Sequence, residues 1–228
     1  MTITDTPVGD LVVEQPLRAR LFEQLGIDYC CGGRQSLGDA CSERGLDPAT
    51  VAVMLDGQDS GAGLVGSDWS RASLAELCDH IVQVHHAYLA RELPRLSYLL
   101  EKCERAHGDE RPELRRTRAV FEQLRRELEE HMTAEETDLF PACLRAEAGE
   151  PLGAAQRSTL EQLKAEHAET RALLEALSHS TSGYDMSRAM CNTHRATLAA
   201  LADLERDLHE HIHEENNILF PRTLDATA

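Results

Sequence analysis

The chain is 228 residues long, and although 42% of its residues are hydrophobic only 4% are aromatic, a balance that favours a helical core of Leu, Ala and Val over a sheet sandwich. Against 23 basic residues stand 40 acidic ones, a formal net charge of -17, which argues against nucleic acid or an anionic membrane as a direct partner. No stretch approaches the roughly 20 uninterrupted apolar residues of a membrane span. Met1 to Asp10 has neither the basic nor the apolar region of a secretory signal. The 7 Cys follow no framework spacing and fit reduced thiols. The expected location is the cytoplasm.

Residues 1-56 are expected to form a small helical N-terminal domain. Pro16 to Leu25 reads as a short helix stopped by Gly26, and a turn with Cys30-Cys31-Gly32-Gly33 follows. Two more helical stretches are expected around Asp39 to Arg44 and Pro48 to Leu55. A module this small is marginal as a free-standing core, so it is expected to dock on another surface. The Gly-rich run from Asp56 to Gly63 reads as a linker, which is assigned to 57-69.

Residues 70-228 read as four long helices. The first opens on the capping box Ser73-Leu74-Ala75-Glu76 and runs to about Ala106, with a kink expected at Pro94. The second is predicted from Pro112 to Ala146, the third from Ala154 to Leu177 and the fourth from Ser187 to Leu224. Short breaks at Gly108, Gly149/Gly153 and Gly183 suit antiparallel neighbours. The fold class is therefore all-α, with a C-terminal antiparallel four-helix bundle.

A duplicated phrase carries the chemistry. His131-Met132-Thr133-Ala134-Glu135 is closed by Leu139-Phe140-Pro141, and His211-Ile212-His213-Glu214-Glu215 is closed by Leu219-Phe220-Pro221. Each copy offers an imidazole and a carboxylate four residues apart, on one helix face. Pro141 and Pro221 are expected to bend or end their helices. Upstream, His86 precedes His131 by nearly the same interval as His167 precedes His211, so a whole helical hairpin is duplicated.

Helical phase, at ~100° per residue, sorts the candidates. Cys78, Val82, Leu89 and Leu93 share the side of His86, which leaves His85 at the edge beside the row of Glu92. Leu124, Leu128 and Glu135 share the face of His131, while Glu136 turns away. Leu160, Leu163 and Leu174 flank His167, and Leu204, Leu208 and Glu215 share the face of His211. His209 and His213 are expected on the solvated side. Six ligands, two of them carboxylates able to bridge, suit a dinuclear site better than a single zinc, which takes about four. The inward-facing candidates form neither the H-E-x-x-H order of zinc hydrolases nor the Glu-x-x-His pairs of ferritin-type sites. Imidazole with bridging carboxylate favours iron, with manganese next.

His86, His131-x-x-x-Glu135, His167 and His211-x-x-x-Glu215 resemble a haemerythrin-like di-iron domain, and Asp28-Tyr29-Cys30-Cys31-Gly32-Gly33 resembles the signature of the repair of iron centres family. The resemblance covers essentially the whole chain. It implies two iron ions joined by an oxo or hydroxo bridge, a cytosolic and often homodimeric protein, and restoration of iron–sulfur clusters damaged by nitric oxide or oxidants. Damaged or apo iron–sulfur proteins, nitric oxide and oxygen are the implied partners. Oxygen carriers have a further His where this chain has Arg171 and an Asp where it has Asn216, which speaks against oxygen carriage.

Cys30 and Cys31 are expected at an accessible bend, where thiolates bind metal or exchange electrons. Cys78, Cys103, Cys143 and Cys191 read as packing residues within helices, and Cys41 as either. The leading expectation is iron supply, with the Cys30-Cys31 module aiding delivery. The competing readings are a nitric oxide or peroxide reductase and a redox sensor using the same site.

Overall fold

The structure, a computed structural model, describes residues 2-59 and 69-226. Residues 60-68 of the expected 57-69 linker lie outside the described residues. Among those described there is no strand, only an isolated bridge between Pro7 and Ser36. The chain divides into two compact units, one of Met1–Leu77 with Glu210–Ala228 and the other of Cys78–His209.

The first unit contains α1 (Val8–Glu14), α2 (Arg18–Leu25), α3 (Leu37–Glu43), α4 (Pro48–Asp59) and the opening of α5 (Leu74–His80). Gly26 closes α2 at φ 67°, in the left-handed region, and Ile27 N–H reaches back to Phe22 O at 2.8 Å. At the start of α3, Ser36 Oγ accepts from Asp39 N–H at 3.1 Å. Helix α4 runs four residues beyond its expected end at Leu55. Its anchors Val51 and Leu55 are fully packed in the core, which holds the helix despite Gly57. Helix α1 is not legible in the sequence, because Val and Gly give it little intrinsic helicity. Burial of Val8, Leu11 and Val12 makes it a helix instead. The same core takes in Ile212, so the surface that covers the small N-terminal module is the last stretch of the chain itself.

At α5 the predicted capping box is present: Ser73 Oγ accepts from Glu76 N–H at 3.1 Å, and Glu76 Oε2 accepts from Ser73 N–H at 2.8 Å. A π turn over Ile81–His86 leads into α6 (Ala87–His107), which continues through Pro94. There follow α7 (Glu113–Ala134), a π turn over Glu135–Leu139, α8 (Phe140–Glu147), α9 (Ala154–Ser180) and α10 (Asn192–Glu214). A last π turn, Glu215–Leu219, leads into α11 (Phe220–Asp225).

The second unit is an antiparallel four-helix bundle of α6, α7, α9 and α10. Its core is built from Leu93, Leu96 and Leu100, from Phe121, Leu124 and Leu128, from Leu174 and Leu177, and from Leu201, Leu204 and Leu208. Polar pairs give the register: Arg118 to Glu104 at 2.9 Å, Thr117 to Ser180 at 2.9 Å, and Cys103 to Thr197 at 3.5 Å. The fourth helix starts at Asn192 rather than Ser187. Ser182, Gly183 and Tyr184 all take positive φ, and a 3-10 turn at Met186–Arg188 completes the reversal.

Leu204 is fully buried at the bundle centre. Leu204→Ala is expected to lower unfolding free energy by about 2–5 kcal/mol, from lost burial and the cavity left behind. A urea titration of both proteins checks this, and an unchanged midpoint would remove Leu204 from the core.

Candidate metal centre

The π turns coincide with the duplicated phrases. Pro141 and Pro221 have no N–H for an ordinary i→i−4 bond. The turns before them widen, so that Phe140 N–H bonds Glu135 O and Phe220 N–H bonds Glu215 O, each five residues back. The helices continue rather than end. Such π turns commonly mark functional positions, and here Glu135 and Glu215 each begin one. The third π turn ends at His86. Its wider turn buries both neighbouring imidazoles, which corrects the expectation that His85 sits at the edge: His85 is buried and holds Asp207 Oδ1 at 3.0 Å.

Within the bundle unit, Glu135 is 0% exposed on a core otherwise rich in leucine. Its Oε2 lies 3.3 Å from His86 Nε2 and its Oε1 lies 3.1 Å from His131 Nε2. His131 Nε2 is 3.0 Å from His167 Nε2. The donor atoms of His131, Glu135 and His167 all fall within 4.8 Å of one another.

The outer ring nitrogens face carboxylates: His86 Nδ1 meets Glu136 Oε1 at 2.8 Å and His131 Nδ1 meets Glu166 Oε2 at 2.7 Å. An ionised carboxylate only accepts, so these partners assign the ring proton to Nδ1. A neutral ring then turns its Nε2 lone pair inward, toward the carboxylate oxygens of Glu135. Lone pairs facing one another at about 3 Å form no hydrogen bond. The donor set therefore fits a cation, with outer carboxylates orienting the imidazole ligands. Burial raises the Glu166 carboxyl, but hydrogen bonds from His131 and Gln162 outweigh it and hold the group below the usual carboxylate range. Glu136 does turn away from the core, with its side chain 47% exposed, yet it reaches the outer nitrogen of His86, a contact between helices that helical phase does not report. Glu166 on His131 is a second such contact. Their signal is position, one residue beyond Glu135 and one before His167.

In the first unit, His211 and Glu215 are buried, and His211 Nε2 lies 3.1 Å from Glu215 Oε1. His213, expected in solvent, is buried in the same unit, packed edge-on against Tyr29 with ring centroids 5.4 Å apart. Burial pushes its pKa down to about 4, so the ring is neutral. His209 is partly exposed. The expectation failed because the N-terminal module covers the polar side of this helix. Asn217 Nδ2 donates to Cys30 O at 3.1 Å and to Tyr29 O at 3.3 Å, and Asn216 Nδ2 donates to Cys30 O at 3.4 Å. The Asn216 position thus holds the thiol loop. Arg171 pairs with Glu175 at 3.0 Å along its own helix.

The Cys30-Cys31 bend is less open than expected: Cys30 is buried and Cys31 half-buried, with the Sγ atoms 3.9 Å apart. The neighbouring Cys31 thiol, burial and Asp28 all push the Cys30 thiol well up. Cys78, Cys103 and Cys143 are buried packing residues within their helices. Cys191 departs from that reading. It is partly exposed just before α10, where its sulfur accepts from His194 N–H at 3.4 Å and lies 3.3 Å from His107 Nε2. The helix N-terminal N–H groups lower its thiol pKa.

Comparison with known proteins agrees with this geometry. The hemerythrin HHE cation binding domain matches residues 78–223, and a domain of unknown function, DUF542, matches residues 4–58. The iron-sulfur cluster repair protein YtfE of Escherichia coli O157:H7 is 33% identical over 98% of this chain and 99% of its own. YtfE of Escherichia coli O81 (strain ED1a) is 34% identical over the same shares, and that of Citrobacter koseri is 32% identical. Among the described residues no helix is long and apolar enough to cross a membrane. The chain belongs to the hemerythrin HHE cation binding family and, over its length, to the family of the YtfE iron-sulfur cluster repair proteins.

Proposed function

We propose that this protein repairs damaged iron–sulfur clusters, using a di-iron centre held by His86, His131, Glu135, His167, His211 and Glu215. The observation that carries the reading is full-length similarity, through both modules in the same order, to proteins named for that repair. The ligand set is supported by duplication: each hairpin copy supplies one His, then a His and a Glu four residues apart. The fully buried Glu135 and Glu215 supply carboxylates able to bridge. Imidazole nitrogen with carboxylate oxygen is a donor set that suits iron.

When bound, such a centre supplies labile iron and one-electron redox chemistry. The chain's own residues do the rest. Glu136 and Glu166 hold the Nδ1 protons of His86 and His131 and so make each Nε2 the ligating nitrogen. The leucine core limits water around the ligands. Ferrous iron is the cargo, apo or nitric-oxide-damaged iron–sulfur proteins in the cytoplasm are the acceptors, and Cys30 and Cys31 lie on the delivery side. Nitric oxide and oxygen are the small ligands expected at the centre, and the working form is a homodimer.

Two measurements test this. Iron-loaded protein is expected to rebuild a cluster in an apo acceptor, followed by the acceptor's visible absorption, whereas His131→Ala is expected not to. Equal transfer by both proteins would make the bundle ligands irrelevant, and nitric oxide turnover far above iron release would make the protein a reductase. Glu166→Gln is expected to weaken iron retention about 10–100-fold in a chelator competition, the usual cost of losing a carboxylate behind a ligating imidazole. Unaltered retention would show that His131 needs no such partner.

A further inference from the structure

The Cys30-Cys31 turn holds a third donor. Asp28 offers a carboxylate oxygen that lies, with both sulfurs, inside a group whose members are all within 4.8 Å of one another. The Sγ atoms are 3.9 Å apart, and Cys30 Sγ is 3.3 Å from Asp28 Oδ1. A tetrahedral ion with metal–sulfur bonds of about 2.3 Å and a metal–oxygen bond of about 2.0 Å spaces its sulfurs roughly 3.8 Å apart, and sulfur from oxygen roughly 3.5 Å. The two sulfurs, and Cys30 Sγ with the carboxylate, stand close to that spacing.

The loop is held in this shape from two sides. Asp28 Oδ1 accepts from the backbone N–H groups of Cys30 at 3.1 Å and of Cys31 at 2.9 Å. A Cβ on Gly32 would lie 3.0 Å from Asp28 Oδ2, and one on Gly33 would collide with Asn217 Oδ1. The paired glycines therefore let the carboxylate close on the loop and let the Asn217 amide grip its carbonyls. Cys31, half-buried, keeps one edge open.

We propose that Asp28, Cys30 and Cys31 form a second cation site, which takes one thiophilic divalent ion of the ferrous or zinc type and leaves the fourth position open to solvent or a partner's ligand. Binding breaks two S–H bonds, forms two metal–sulfur bonds and releases both protons to water, with no change of oxidation state. The site does not depend on whether the bundle holds two irons.

Cobalt(II) titrated into the reduced full-length chain tests this, because thiolate ligands give a near-ultraviolet charge-transfer band that imidazole and carboxylate ligands do not. The expected result is a band that saturates at one ion per chain. It is lost in Cys31→Ser and in Cys30→Ser, while Asp28→Asn lowers cobalt affinity at least about tenfold through loss of the carboxylate donor. Helical circular dichroism is expected to be unchanged in Cys31→Ser, whose side chain lies at the open edge. Absence of the band from the reduced wild-type chain, or its survival in Cys31→Ser, would overturn the proposal. The wild-type titration decides even where a variant fails to fold.

Discussion

A carboxylate buried in a leucine core costs more than a small helical bundle can absorb without compensation. Glu135 is such a group, and much of the bundle is arranged around it. Imidazoles from the stretch before α6 and from α7 face its two oxygens, and a third imidazole from α9 closes on His131. Carboxylates at the rim then hold the outer nitrogens. The order outward from the centre is buried carboxylate, neutral imidazole with its proton turned outward, and surface carboxylate. That order is stable around a cation, whose charge turns mutually repelling lone pairs into ligands.

The covalent device that sets up this arrangement is modest. A proline six residues after the Glu removes one helical N–H, and the turn before it widens while the helix carries on. Ligand and helix direction are preserved together, which a broken helix would not allow. In the first unit the stretch around the last π turn is used on two sides. One carries His211 and Glu215, and the other carries His213 and Asn217, which grip the backbone of the Cys30-Cys31 turn. The thiol loop and two of the proposed iron ligands therefore share a single piece of backbone.

The departures from oxygen carriers acquire a physical meaning in that setting. Arg171 is spent on a surface pair with Glu175 and brings no ligand inward. Asn216 donates an amide to Cys30 O, a contact that a carboxylate in its place could not make, having no proton to give. One position forms a surface ion pair and the other fastens the thiol loop.

Much of this was readable from residue order alone, because helical periodicity depends only on neighbours along the chain. The four bundle helices, the Ser73-Glu76 cap, the inward faces of Glu135 and Glu215 and the family resemblance all rest on local spacing. Other features depended on surfaces brought together from distant segments. Helix α1 forms because its valines are covered, and His213 is buried because residues far upstream pack on it. His85 turns inward where a π turn replaces an α turn, and the Cys30 thiol is hidden by the helix that Asn217 belongs to. Glu136 and Glu166 could be recognised as partners of the ligating imidazoles only once the helices were side by side, since no periodicity within one helix reports what a neighbouring helix presents to it.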